Sequence, residues 1–242
     1  MNSNWLERTE LLVKKEGIHK LQNANILVVG LGGVGAFACE FLARAGVGQL
    51  TIVDGDSVDL TNKNRQLVAL DSTIGKSKAE IMAQRIREIN PTCKLRVITQ
   101  FLEPEHAYEL ISNEFDYVAD CIDSISPKLN LIKACRDKKV KLISSMGAGG
   151  VLDPSLVKVG NIDKTRDCPL ARHIRKRMKQ ENICFKFKAV FSLELPLKDT
   201  MQQTDGTNYK RSYYGTISYM PAVFGIHMAA TIVNYLLKKE EK

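Results

Sequence analysis

A chain of 242 residues, 44% hydrophobic and 26% charged, is long enough to bury a sizeable core as one domain. That composition excludes disordered, collagen-like and disulfide-scaffold classes. The net charge of +8 is uneven: residues 1–121 carry 13 basic and 16 acidic side chains (net −3), whereas residues 122–242 carry 22 and 11 (net +11). An acidic half joined to a basic half points either to a polyanionic partner on the second half or to a Lys-rich solvated surface.

The first eight residues, Met-Asn-Ser-Asn-Trp-Leu-Glu-Arg, lack the apolar stretch of a secretory signal. Six cysteines (39, 93, 121, 135, 168, 184) form no CxxC pair, and four histidines (19, 106, 173, 227) lack ligand spacing. No zinc ribbon, redox pair or Cys/His metal centre is therefore expected, and a reducing cytoplasm fits best. Cys39, Cys121 and Cys135 sit in apolar stretches, as small buried hydrophobes do.

Residues 6–21 read as an amphipathic helix, with Leu6, Leu11, Leu12, Ile18 and Leu21 apolar among charges. Asn25-Ile26-Leu27-Val28-Val29 is a continuous apolar run, the pattern of a buried parallel strand. It feeds a Gly-rich loop and a helix through Ala45, which Gly46 and Gly48 end before a second strand at 50–53. A helix over 76–90 stops at Pro91; strand 95–99, helix 104–113, strand 117–121, helix 127–138 and strand 140–144 follow. This alternation requires right-handed crossovers. The expected fold class is α/β, a Rossmann-like doubly wound, largely parallel sheet.

After Gly147-Ala148-Gly149-Gly150 the pattern changes, with extra strands expected at 156–159 and 186–192 around a very basic helix at 170–180. Residues 197–214 are polar and turn-rich, as in a mobile loop near a site. Residues 220–237 carry no formal charge and touch the length of a membrane span, but Pro221, His227, Asn234 and Tyr235 dilute them. A buried or dimer-facing final helix is expected there, without membrane association.

Gly30-x-Gly32-x-x-Gly35, with Gly33 between, follows a strand and opens a helix. In that context glycines let the backbone approach a phosphate chain, and the helix N-terminus supplies oriented N–H groups. Asp54, ending the second strand, is placed for ribose hydroxyls. The next stretch, from Asp54 and Asp56 through Asn62 and Arg65-Gln66 to Lys78, separates this site from a dehydrogenase. Hydride transfer has no use for Asn, Arg and Lys beyond the ribose, whereas cleaving an α,β-phosphoanhydride builds charge that they would stabilise. Read singly, Asn62 caps a turn and Arg65 and Lys78 are surface charges. Asp123, after the fourth strand, lies at the ligand-binding edge of the sheet.

The Gly loop, Asp54, the segment from Asn62 to Gln66, Lys78, Ile89-Asn90-Pro91 and Asp120-Cys121-Ile122-Asp123 together resemble the ThiF/MoeB/HesA superfamily, bacterial relatives of ubiquitin-activating enzymes. The resemblance implies ATP as the nucleotide: a substrate carboxylate attacks its α-phosphate, giving an acyl-adenylate and pyrophosphate. It further implies that Gly30, Gly32, Gly33, Gly35, Asp54, Asp56 and Asn62 bind the nucleotide, and that Arg65, Lys78 and Asp123 act at the reacting phosphates. Asp123 would support Mg²⁺; a monovalent Na⁺ or K⁺ and a homodimer are also within the family pattern.

Carrier-protein adenylators of this superfamily commonly hold zinc in two CxxC pairs, which this chain lacks. Ser145-Met146-Gly147-Ala148-Gly149-Gly150-Val151-Leu152-Asp153-Pro154, Asp163-Lys164-Thr165, Pro169-Leu170-Ala171 and Ala189-Val190-Phe191-Ser192-x-Glu194 instead resemble the tRNA threonylcarbamoyladenosine dehydratase branch. That branch cyclises the modified adenosine beside the anticodon. One domain over 1–242 follows, with about 1–150 as ATP-binding core and about 151–242 as a basic extension for substrate and dimer contacts. The partner implied is tRNA, not DNA; cysteine desulfurase or sulfur-acceptor proteins are further candidate partners. The alternative is an adenylating enzyme for a ubiquitin-like sulfur-carrier protein.

From Arg172 to Lys188 there are seven Lys/Arg and one acid, Glu181. Arg172, Arg175, Lys176 and Lys179 fall on overlapping helix faces and are the candidate RNA contacts, reading backbone rather than sequence. Phe185, Phe187, Tyr213 and Tyr214 either stack on splayed bases or pack the core. Some relatives have a second arginine three residues after the one in the opening helix, reaching ATP across a dimer; here Arg8 is followed by Leu11 at that place. Cys168 and Cys184 are expected to be incidental thiols, because an intramolecular ring closure needs no covalent enzyme intermediate.

Overall fold

Strand β1 (Asn25–Val29) is buried on both faces and sets the layering. Ile26 and Val28 join one apolar cluster, while Leu27 and Val29 join the other. A strand with two dry faces needs helices above and below, which a parallel sheet supplies through its crossovers. The computed structural model describes residues 4–103, 105–203 and 212–238.

Strands β2 (Gln49–Val53), β3 (Lys94–Ile98), β4 (Tyr117–Asp120) and β5 (Leu142–Ser145) run parallel to β1. β6 (Val157–Asn161) and β7 (Lys188–Ser192) complete a seven-stranded sheet in the order β3-β2-β1-β4-β5-β7-β6, with β6 antiparallel to β7. This is the α/β doubly wound sheet expected, extended at one edge. Order reverses between β1 and β4, and ligands bind outside the strand ends at such a switch point.

Helices α1 (Glu7–Asn23), α2 (Gly35–Arg44), α3 (Lys78–Ile89) and α7 (Tyr219–Lys238) contribute to or flank the first cluster. α4 (Ala107–Leu110), α5 (Ile125–Asp137) and α6 (Pro169–Gln180) cover the other face. α7 passes the length and composition test for a membrane span, but Met220, Phe224, Met228, Ile232 and Leu236 are buried in the first cluster. It is a core helix, packed on α2 and β5.

Three expectations are corrected. The helix expected over 104–113 is one turn, ending where Ile111 turns extended (ψ 119°). α1 is interrupted at Lys14 (φ 65°, ψ 172°), so Leu11 and Leu12 are 72% and 82% exposed while Leu6, Ile18 and Leu21 are buried. The polar 197–214 segment contains a 3-10 turn and a hairpin of β8 (Met201–Gln203) and β9 (Ser212–Tyr214). Its residues 204–211 lie outside the described residues.

Candidate ATP-binding site

The loop from Gly30 to Gly35 is pressed into place from several sides. Gly30 has φ +88°, and a Cβ there would sit 3.0 Å from the Cys121 carbonyl oxygen; a Cβ on Gly35 would overlap the Gly30 carbonyl. Only glycine satisfies both, which gives the turn its tightness. The Asp54 carboxylate accepts the N–H groups of Leu31 and Asp56, tying the loop to the end of β2. Burial pushes the Asp54 carboxyl above its ordinary pKa, against the pull of those two donors.

Two further glycines of the loop face other chain segments. A Cβ on Gly32 would lie 3.7 Å from Gln66 Nε2, and one on Gly33 would lie 2.9 Å from Pro221 of α7. Gly33 therefore serves close packing of the last helix.

Asn62 is buried and ends a 3-10 turn that starts after Asp59. Its Oδ1 accepts the Asp59 N–H at 3.2 Å, while Asp59 accepts the Thr61 N–H at 2.8 Å. The Asn62 carbonyl then accepts the N–H of Arg65 (3.1 Å) and Gln66 (2.9 Å). Asn62 thus shapes the turn that presents Arg65. Arg65 Nη1 donates to the Thr61 carbonyl (2.9 Å) and to Asn64 Oδ1 (2.8 Å). Partial burial lowers the Arg65 pKa and the nearby Asp123 charge raises it, so the pair belong to one electrostatic site while the guanidinium stays ionised. Asp123 is itself exposed. Lys78 is 5% exposed and its Nζ lies 3.0 Å from Asp56 Oδ2.

The structure thus gathers the Gly loop, Asp54, Asp56, Asn62, Arg65, Lys78 and Asp123 along the carboxyl edge of β1, β2 and β4. Sequence reasoning quoted Gln66 without giving it a role. Among the described residues its Oε1 is a buried side-chain oxygen with no hydrogen-bond partner, while its Nε2 is the atom nearest to a Cβ built on Gly32.

The basic helix starts at the same edge: Cys168 Sγ would be 3.7 Å, and Leu170 Cβ 3.9 Å, from a Cβ on Gly147. Arg172, Lys176 and Lys179 are exposed and share one stripe at i, i+4, i+7 spacing. Arg175 is half-buried and turns to donate to Thr165 Oγ1, and Arg177 pairs with Glu181, which also meets Lys133. The structure does not put Arg175 on the stripe. Phe187 is buried with Phe185 packed on it, centroids 5.7 Å apart, and Tyr213 is 49% exposed. Cys168 is buried and Cys184 exposed.

A family model described as the ThiF family matches residues 6–242. The chain belongs to the ThiF family. Its similarity to family members covers nearly all of it: a tRNA threonylcarbamoyladenosine dehydratase of Bacillus subtilis is 38% identical over 241 residues, 97% of this chain and 95% of the relative. The crystal structure of the Escherichia coli tRNA N6-threonylcarbamoyladenosine dehydratase in complex with ATP superimposes with a TM-score of 0.87 at 35% identity, covering 98% of this chain and 96% of that one. A molybdopterin-synthase adenylyltransferase of Haemophilus influenzae is 39% identical over 129 residues, 53% of this chain and 53% of the relative.

Proposed function

We propose that this ThiF-family protein is an ATP-dependent tRNA threonylcarbamoyladenosine dehydratase. The observation that carries the reading is near-complete correspondence, in sequence and in three dimensions, with dehydratases over both halves of the chain. The carrier-protein adenylators correspond over half of it.

The chemistry follows from the site. ATP lies against the Gly30–Gly35 turn, where N–H groups of the loop and of α2 face its phosphates. Asp54 retains acceptor capacity for the ribose beyond the two N–H bonds it already takes. The threonyl carboxylate of the modified adenosine attacks the α-phosphorus; the bond to the β-phosphate oxygen breaks, and pyrophosphate leaves with that electron pair. Arg65, half-buried, and Lys78, buried, stabilise the charge that grows on the phosphates. The carbamoyl group of the same side chain then closes the ring on the activated carbonyl, and AMP departs. Both partners of this second step belong to one substrate, so the protein supplies orientation rather than a nucleophile.

Mg²⁺ suits this donor set modestly. Among the described residues no group of three His, Cys, Asp or Glu could cage a metal, whereas one exposed carboxylate, Asp123, stands within the field of Arg65. Such a site is typical of Mg²⁺ bound largely through substrate phosphates, whose charge it would neutralise. The stripe of Arg172, Lys176 and Lys179 supplies phosphate contacts for the anticodon arm.

The deciding experiment is incubation of tRNA carrying threonylcarbamoyladenosine with enzyme and ATP, followed by mass spectrometry of anticodon-loop nucleosides. Loss of one water from the modified nucleoside, with AMP and pyrophosphate released in step, is expected. AMP release driven by a carrier protein with a Gly-Gly terminus, and not by tRNA, would overturn the reading.

A further inference from the structure

Beneath the site lies a charged pair that the chemistry above does not use. Lys128 of α5 and Asp120 at the end of β4 are both wholly buried. Lys128 Nζ donates to Asp120 Oδ2 at 2.7 Å, to Ser144 Oγ at 3.0 Å and to the Ser145 carbonyl at 2.9 Å. Ser144 Oγ in turn donates to Asp120 Oδ2 at 2.6 Å, and Asp120 Oδ1 accepts the N–H of Ile122 at 3.1 Å. All three protons of the ammonium and both carboxylate oxygens are thereby engaged.

Removing two charges from water costs several kcal/mol per ion, and a buried pair of this kind often adds nothing net to stability. Its placement suggests what it does instead. Asp120 Oδ1 grips the turn that carries Asp123, one residue beyond Ile122. The Ser145 carbonyl lies two residues before Gly147, where the glycine loop that meets the start of α6 begins. One ammonium therefore joins the ends of two adjacent strands and the two loops that leave them.

We propose that Lys128 is a positioning residue for adenylate formation, holding the Asp123 turn and the 147–150 loop in a fixed mutual arrangement through Asp120, Ser144 and Ser145. This rests on the dehydratase reading for its substrate: the Asp123 side attends the reacting phosphates, and the 147–150 loop borders the basic helix assigned to RNA. The lock keeps ATP and the modified nucleoside in register. It touches neither reactant.

The test uses the double variant Lys128→Met/Asp120→Asn, which removes both charges at similar volume and avoids stranding one of them. Lys128→Met alone would leave a buried carboxylate unpaired and invites unfolding. The double variant should remain folded by circular dichroism and bind ATP with a Kd within about threefold of the parent, because the Gly loop, Asp54, Arg65 and Lys78 are untouched. Its kcat for cyclisation should fall by about 10- to 100-fold, the scale of an ångström-level misplacement, with a smaller change in KM for ATP. Amide hydrogen exchange should quicken at 122–124 and at 147–150 together, while β1 and β2 keep their protection. Unchanged exchange in those two loops, or a parental kcat in the folded variant, would overturn the proposal. An inactive parent protein would sink the dehydratase reading alone, and the paired exchange rates would still decide whether Lys128 locks the loops.

Discussion

Asp56 holds Lys78 twice: its carboxylate accepts from Nζ at 3.0 Å, and its backbone carbonyl accepts the Lys78 N–H at 3.0 Å. The lysine stem is buried at the first turn of α3, so the ammonium has little freedom to wander. A cation fixed in this way can meet developing phosphate charge without reorganising. Lys78→Ala should lower kcat for AMP formation by at least about 100-fold, the effect typical of losing one preorganised charge stabiliser. Circular dichroism should report an intact fold, and steady-state assays of AMP release measure the loss.

Asn64 links Arg65 to a distant part of the chain. Its Oδ1 accepts from Arg65 at 2.8 Å, and its Nδ2 donates to the Thr216 carbonyl at 2.8 Å, just past β9. The same strap reaches the glycine loop, where Gly150 donates to the Gly215 carbonyl at 2.8 Å. Asn64→Ala should therefore weaken activity through Arg65 orientation, by about tenfold in kcat/KM, less than the loss in Arg65→Ala. Equal losses in the two variants would show that Arg65 depends wholly on Asn64.

Neutralising Arg172, Lys176 and Lys179 to Gln should raise the tRNA dissociation constant and reduce the steepness of its salt dependence by roughly 2 to 3 units of log–log slope. ATP affinity should stay as it was, because the stripe lies outside the Gly loop. Arg175→Gln should behave differently, since that side chain is committed to Thr165: a lower Tm with little change in salt slope is expected. Fluorescence anisotropy of labelled anticodon stem-loops at several salt concentrations separates the two outcomes.

The central strand β1 was legible because Ile26–Val29 is a run of apolar residues bounded by turn signals, whereas β3 at the sheet edge shows the alternation of Lys94, Leu95, Arg96 and Val97 expected of a half-exposed strand. The nucleotide site was legible because its chemistry sits in the short motifs from Gly30 to Gly35 and from Asp54 to Lys78. Legibility failed where a side chain's role depends on a distant partner. Lys128 reads as an ordinary helix charge until Asp120 and Ser144 are brought beside it. Arg175 reads as part of the basic face until Thr165 is seen to take its guanidinium. Gly33 reads as a phosphate-loop glycine, although the nearest obstacle to a Cβ is Pro221 from the far end of the chain.

Glu40 gives a test in pH rather than in activity. It lies on α2 away from the nucleotide loop and is buried to 6% exposure, with Arg85 donating at 2.6 and 2.9 Å and Arg44 at 2.7 Å. Burial by itself pushes its carboxyl up, but the hydrogen bonds and charges of Arg85 and Arg44 outweigh that and hold the pKa below the ordinary 4.5. A carboxyl with a lower pKa in the folded than in the unfolded chain contributes stability above the unfolded value and loses it as pH falls through the folded one. Both arginines are partly exposed, so the screened contribution is about 1–2 kcal/mol. Glu40→Gln should therefore destabilise the protein by about that amount at pH 7. The gap between parent and variant, measured by urea unfolding, should narrow progressively below about pH 4.5. A gap of constant size across that range would mean that the carboxylate's charge contributes nothing, and that Glu40 matters only for the shape it fills between α2 and α3.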